Sequence, residues 1–127
     1  MLNLPDLDSQ YAALNQPLDC KLHDLLAGRI KDSLALDLGD LTHIVVIQPR
    51  DTEADIIEAL GFSPLVSSIN GLHLEPDWDW MERHEGWFEL VYTVGNSGFA
   101  YLVFVQDGEG VLPDLLTLCR EGQATCN

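Results

Sequence analysis

Leu4, Leu7, Tyr11 and Leu14 recur at steps of three and four residues, the period of one face of a helix. Pro5 fits a first helical turn after Asn3, and Pro17 ends the element. Leu18, Leu22, Leu25, Leu26 and Ile30 repeat the pattern, so the chain is expected to open with a helical hairpin. The period then changes. Leu41 to Ile47 is rich in β-branched residues and apolar on both faces from Ile44 onward, as in a strand covered on two sides. Leu34 to Leu38 alternates ahead of Gly39-Asp40 and is read as a helix end and loop rather than an extra strand.

Pro49 and Asp51-Thr52 close the strand and start a short helix, Thr52 to Leu60, that would bury Ile56, Ile57 and Leu60. Thr52-x-x-Asp55 resembles a capping box, and Gly61 stands where a left-handed residue is wanted. Leu65 to Ile69 reads as a short strand before the turn signal Asn70-Gly71, and Asp77 to His84 as one or two helical turns. Trp87–Val94 and Phe99–Gln106 read as strands joined by Gly95-Asn-Ser-Gly98. The second is apolar on both faces and belongs inside a sheet. A last helix over Leu112 to Arg120 would bury Leu112, Leu115, Leu116 and Cys119, leaving 121–127 as a loose tail.

These elements predict a single α+β domain over 1–127: a mainly antiparallel sheet of four to five strands, with the N-terminal helical hairpin and further short helices packed on it. A chain of 127 residues with 46% hydrophobic residues can bury enough surface to fold without metal or disulfide.

Charge changes the picture. Six Lys and Arg against 21 Asp and Glu give a net charge of −15. Residues 1–50 hold seven acids and four bases, whereas 51–127 hold fourteen acids and two bases, Arg83 and Arg120. Such a surface repels nucleic acid phosphates and anionic membranes, so direct contact with either is not expected. Basic protein surfaces are the favoured partners, and a homodimer is compatible with the composition. Three cysteines, Cys20, Cys119 and Cys126, form no C-x-x-C pair. With no secretory pattern at Met1-Leu-Asn-Leu-Pro-Asp and no long apolar run, a cytoplasmic location with reduced thiols is expected.

No phosphate-binding G-x-x-x-x-G-K-[ST], dinucleotide G-x-G-x-x-G or zinc-binding H-E-x-x-H occurs. Gly95-Asn-Ser-Gly98 is a residue short of a nucleophile elbow and joins two strands. Asp77-Trp-Asp79 begins like a calcium loop, but Met81 and Glu82 replace the third ligand and the glycine.

The densest chemistry lies between His73 and Trp87, where five acids, two histidines and all three tryptophans fall within fifteen residues. Indole rings supply apolar contact area and stack with Arg or Lys, while flanking carboxylates pair with the cation. This pattern marks Glu75, Asp77, Trp78, Asp79, Trp80, Glu82 and Glu85 as partner-binding residues in a segment spanning 73–89. The expected role is that of a small acidic binding protein without catalytic activity or cofactor: an inhibitor, an immunity-like protein or an adaptor, with a DNA mimic as the sharper variant. The alternative is a divalent-metal-dependent hydrolase with His73, Asp77, Asp79 and His84 as ligands. Two further residues stand out. Glu89 is the lone charge on an otherwise apolar strand, to be explained by a sheet edge, by pairing with Arg83, or by acid–base work beside His84 or His43. His43, which opens the buried strand, reads as a hydrogen-bonded structural residue.

Overall fold

The computed structural model describes residues 1–35, 42–62, 72–76, 86–94, 100–117 and 119. The chain opens with a short strand, β1 (Leu2–Leu4), before the helices α1 (Leu7–Leu14) and α2 (Cys20–Ala35). There follow β2 (Thr42–Ile47), α3 (Glu53–Leu60), β3 (Leu72–Pro76), β4 (Trp87–Val94), β5 (Ala100–Gln106) and a helical stretch α4 (113–117). The expected strand over 65–69, the expected helix over 77–84 and the tail 121–127 lie outside the described residues.

The fold is α+β, but the sheet is mixed rather than mainly antiparallel. Its strand order is β1-β2-β5-β4-β3. β1 pairs antiparallel with β2, and β3, β4 and β5 form an antiparallel set, yet β2 and β5 run parallel, Thr42 opposite Ala100 and Ile47 opposite Val105. A parallel neighbour requires a long crossover, here carrying α3, β3 and β4. The expected N-terminal helical hairpin is not established as the opening unit, because Leu4 belongs to a strand and pairs with Ile44.

Local chemistry explains where the helices begin and end. Asp6, not Asn3, caps α1: its side chain accepts from Ser9 N–H at 2.8 Å, and Ser9 Oγ accepts from Asp6 N–H. Hydrogen bonding from Ser9 to the carboxylate, that of its backbone N–H foremost, holds the Asp6 carboxyl below its ordinary pKa. The buried face of α1 carries Gln10 and Ala13, whereas Tyr11 is exposed. Gln10 serves as a clamp, its Nε2 donating to Thr42 O at 2.9 Å and to Leu4 O at 3.3 Å. On α3 the capping box of Thr52 and Asp55 and the left-handed Gly61 occur as read, but Ile57 faces outward.

Two apolar layers sandwich the sheet. On one side, Ala13 of α1 and Leu22, Leu25, Leu26 and Ile30 of α2 pack on Leu4, Ile44, Val46, Trp87 and Phe104. On the other, Ile56 and Leu60 of α3 and Leu115, Leu116 and Cys119 pack on Val45, Ile47, Leu90, Tyr92, Val103 and Val105. All six residues of β2 are therefore buried, as the two-sided apolar pattern implied. Cys20, at the start of α2, is exposed, while Cys119 is buried. Among the described residues, no helix is long and apolar enough to cross a membrane.

Candidate interaction surface

The acidic tryptophan segment joins two neighbouring antiparallel strands. β3 supplies its start, with His73 opposite Thr93 and Glu75 opposite Val91 in backbone register. β4 receives its end at Trp87. The proposed contacts Asp77, Trp78, Asp79, Trp80, Glu82 and Glu85 lie outside the described residues, as does His84. Of the alternative metal set, only His73 falls on a described element, and no group of three His, Cys, Asp or Glu is placed to hold a metal among the described residues.

The flanks of the segment place its ends on the sheet. Pro76 stands opposite Leu90, and Trp87 opposite Gln106, the last residue of β5. Both ends therefore emerge where the parallel strands β2 and β5 terminate. At this end three connections are stitched together by backbone bonds and one ion pair. Asp107 N–H donates to Gly86 O at 2.9 Å, and Arg50 N–H donates to Gly110 O at 2.7 Å. The amino group of Met1 lies 3.4 Å from Asp51 Oδ1, and Gln48 N–H donates to Asp51 Oδ2 at 2.7 Å. Gly110 has φ of +89°, and a Cβ there would stand 3.2 Å from Pro49 Cβ, so the close approach of the two loops calls for glycine.

Tertiary structure thus gathers acids far apart in sequence: Asp51, Asp107 and Glu109 flank the same sheet end from which the 77–86 connection departs. Beside them, between β1 and α3, an open groove of about 410 Å³ is lined by Met1, Asn3, Asp51, Asp55, Glu58 and Ala59. Sequence reasoning missed this grouping. Asp51 reads only as part of the close of a strand and the start of a helix, and Asp107 and Glu109, in a distant connection, give no signal that they meet it.

Trp87 and Glu89 are anchors rather than contact residues. Trp87 is 6% exposed, within the layer under α1 and α2. Glu89 is 1% exposed and lies in an interior strand, not at a sheet edge. Its described partner is Arg29 of α2, with Nε donating to Oε2 at 2.6 Å and a terminal nitrogen to Oε1 at 2.5 Å. Asp32 Oδ2 stands 3.7 Å from the other terminal nitrogen. Arg83 lies outside the described residues.

The acid–base pairing of Glu89 with His43 is overturned by the pleat. Glu89 sits with Trp87 on the α2 side, whereas His43 sits with Val45 on the α3 side. There its Nε2–H donates to Asn3 Oδ1 at 2.5 Å, and its ring lies 5.2 Å from that of Tyr101. Burial holds the His43 pKa below the ordinary imidazole value, opposed by the Asp6 carboxylate. The sign follows directly. The fold favours neutral His43, so its contribution is complete above about pH 6.5 and is lost as pH falls through the lower folded-state pKa. Urea midpoints at neutral pH and in mild acid are expected to differ more for the wild type than for His43→Gln, a comparison in which the titration of other groups cancels. Equal differences would refute the linkage. Tyr92, buried beside Cys119, has its phenol pushed well above the ordinary value and stays uncharged.

No protein-family model matches this chain, and no curated protein or solved structure matches it either.

Proposed function

We propose that the protein acts by non-catalytic binding to a partner protein with a basic surface, through the acidic tryptophan segment 73–89, in an inhibitor, immunity-like or adaptor role. One observation carries this reading. The connection that concentrates Trp78, Trp80 and the acids Asp77, Asp79, Glu82 and Glu85 departs from the sheet end where Asp51, Asp107 and Glu109 also gather. Acid around indole suits a Lys- or Arg-bearing surface: the rings supply apolar anchor area and the carboxylates neutralise cations. Mixing large apolar groups among the charges favours a protein interface over imitation of a regular phosphate array.

The test is a pull-down from native cell extract with and without EDTA, comparing wild type with Trp78→Ala/Trp80→Ala after both are shown to be folded. The expected result is a stoichiometric basic partner, lost with the tryptophans and indifferent to EDTA. Capture that depends on EDTA-sensitive metal, or no difference between wild type and variant, would overturn the reading.

A further inference from the structure

β4 begins at the base of the acidic segment. β3 ends at Pro76 opposite Leu90, while Trp87, Phe88 and Glu89 continue opposite Gln106, Val105 and Phe104 of β5. This is the stretch that receives the segment. Its support comes from beneath, along α2. Lys21 Nζ stands 3.8 Å from where a side chain on Gly86 would begin, Trp87 packs with Leu22, Leu25 and Leu26, and Arg29 grips Glu89 through two hydrogen bonds. The spacing is in step: Lys21 to Arg29 spans about 12 Å of helix, and Gly86 to Glu89 about 10 Å of strand.

We infer that the Arg29–Glu89 pair is a positioning device, fixing the register in which β4 enters the sheet against α2 and so the setting from which the acidic tryptophan segment meets a basic partner. A buried ion pair is a poor source of net stability, because desolvation of both ions offsets their attraction. What two parallel N–H···O bonds supply is direction. A contact between flexible apolar side chains tolerates sliding. A slip of β4 by one residue would turn Glu89 into the apolar layer under α3, and a slip by two would carry it past the guanidinium. The consequence for binding rests on the reading in the preceding subsection; the consequence for register does not.

The discriminating variant is Arg29→Met/Glu89→Leu, which removes one charge of each sign and leaves the net charge unchanged. Three quantities are compared with wild type: the urea midpoint, amide exchange at Trp87, Phe88 and Glu89 relative to Val91 and Tyr92, and affinity for a tryptophan-free oligolysine peptide read by indole fluorescence. The expected result is undiminished stability, exchange at the three entry amides faster by about tenfold, and weaker peptide binding. Arg29→Lys, which keeps the charge but loses the fork, is expected to show the same pattern at smaller amplitude. A double variant less stable than wild type would make the pair a source of stability and overturn the inference. Unchanged exchange would overturn it equally. If wild type does not bind the peptide, the failure belongs to the binding reading, and the exchange comparison still decides the positioning.

Discussion

Arg29→Met alone is expected to destabilise the fold by about 3–5 kcal/mol, the range for breaking a buried ion pair by removing one partner. The cost arises at Glu89. Its side chain is 1% exposed and starts from an interior strand, so it cannot reach water without moving backbone, and the carboxylate loses its described cation. The reciprocal change is expected to be milder. In Glu89→Leu the abandoned guanidinium is already 19% exposed, with Asp32 3.7 Å away, and a long Arg stem can carry its head outward. Urea denaturation of both single variants tests this asymmetry, and equal losses would refute it. Lowering the pH should restore part of the loss in Arg29→Met, because an uncharged carboxyl is cheaper to bury than a charged one.

Phe104→Ala is the second large effect, expected at about 3–5 kcal/mol from lost transfer energy and the cavity left behind. Phe104 is fully buried on β5, between β2 and β4 in the strand order. Its neighbours in register are Val46 and Glu89, and it packs in the layer with Leu25, Leu26, Ile30 and Trp87. These side chains are held by both α2 and the sheet, so collapse into the vacated space is restricted. Thermal or urea unfolding measures the loss. A loss under about 1 kcal/mol, the size expected of a surface site, would mean that the layer under α2 is not packed as described. Because Glu89 lies opposite Phe104, the two variants should also couple, and a double-mutant cycle is expected to depart from additivity.

Elements governed by neighbours in sequence were legible. Thr52, Asp55 and Gly61 satisfy the ends of α3 within the helix's own length. The buried stripe of α2 follows its period through Leu22, Leu25, Leu26 and Ile30. β5 announced an interior place by being apolar on both faces. Failures came where a few residues were asked to carry a period. Leu4 shares spacing with Leu7 and Tyr11, yet three residues of β1 have no periodicity to distinguish them from a helical turn. Tyr11 and Ile57 fell on faces that propensity made apolar and packing left outside. Gln10 went unseen because a buried amide is justified only by the two carbonyls it meets, one of them 32 residues away.

The candidate surface divides the same way. The concentration of acid and tryptophan over 73–87 is a property of the chain, and the unusual charge at Glu89 was visible as a charge. That the charge belongs to Arg29, sixty residues distant, was not visible, nor was the meeting of Asp51, Asp107 and Glu109 at one end of the sheet.

By itself, then, the sequence determined an acidic α+β chain, its main helices and interior strands, and a segment rich in acids and indoles, because side-chain period, capping and charge act over a few residues. Only tertiary structure decided that β2 and β5 lie parallel, that Glu89 is a clamped anchor and that His43 faces away from it. The first depends on which distant strands share hydrogen bonds and in which direction the chain returns, and the other two on which side of the pleat each residue falls, which a shift of one residue in register would reverse.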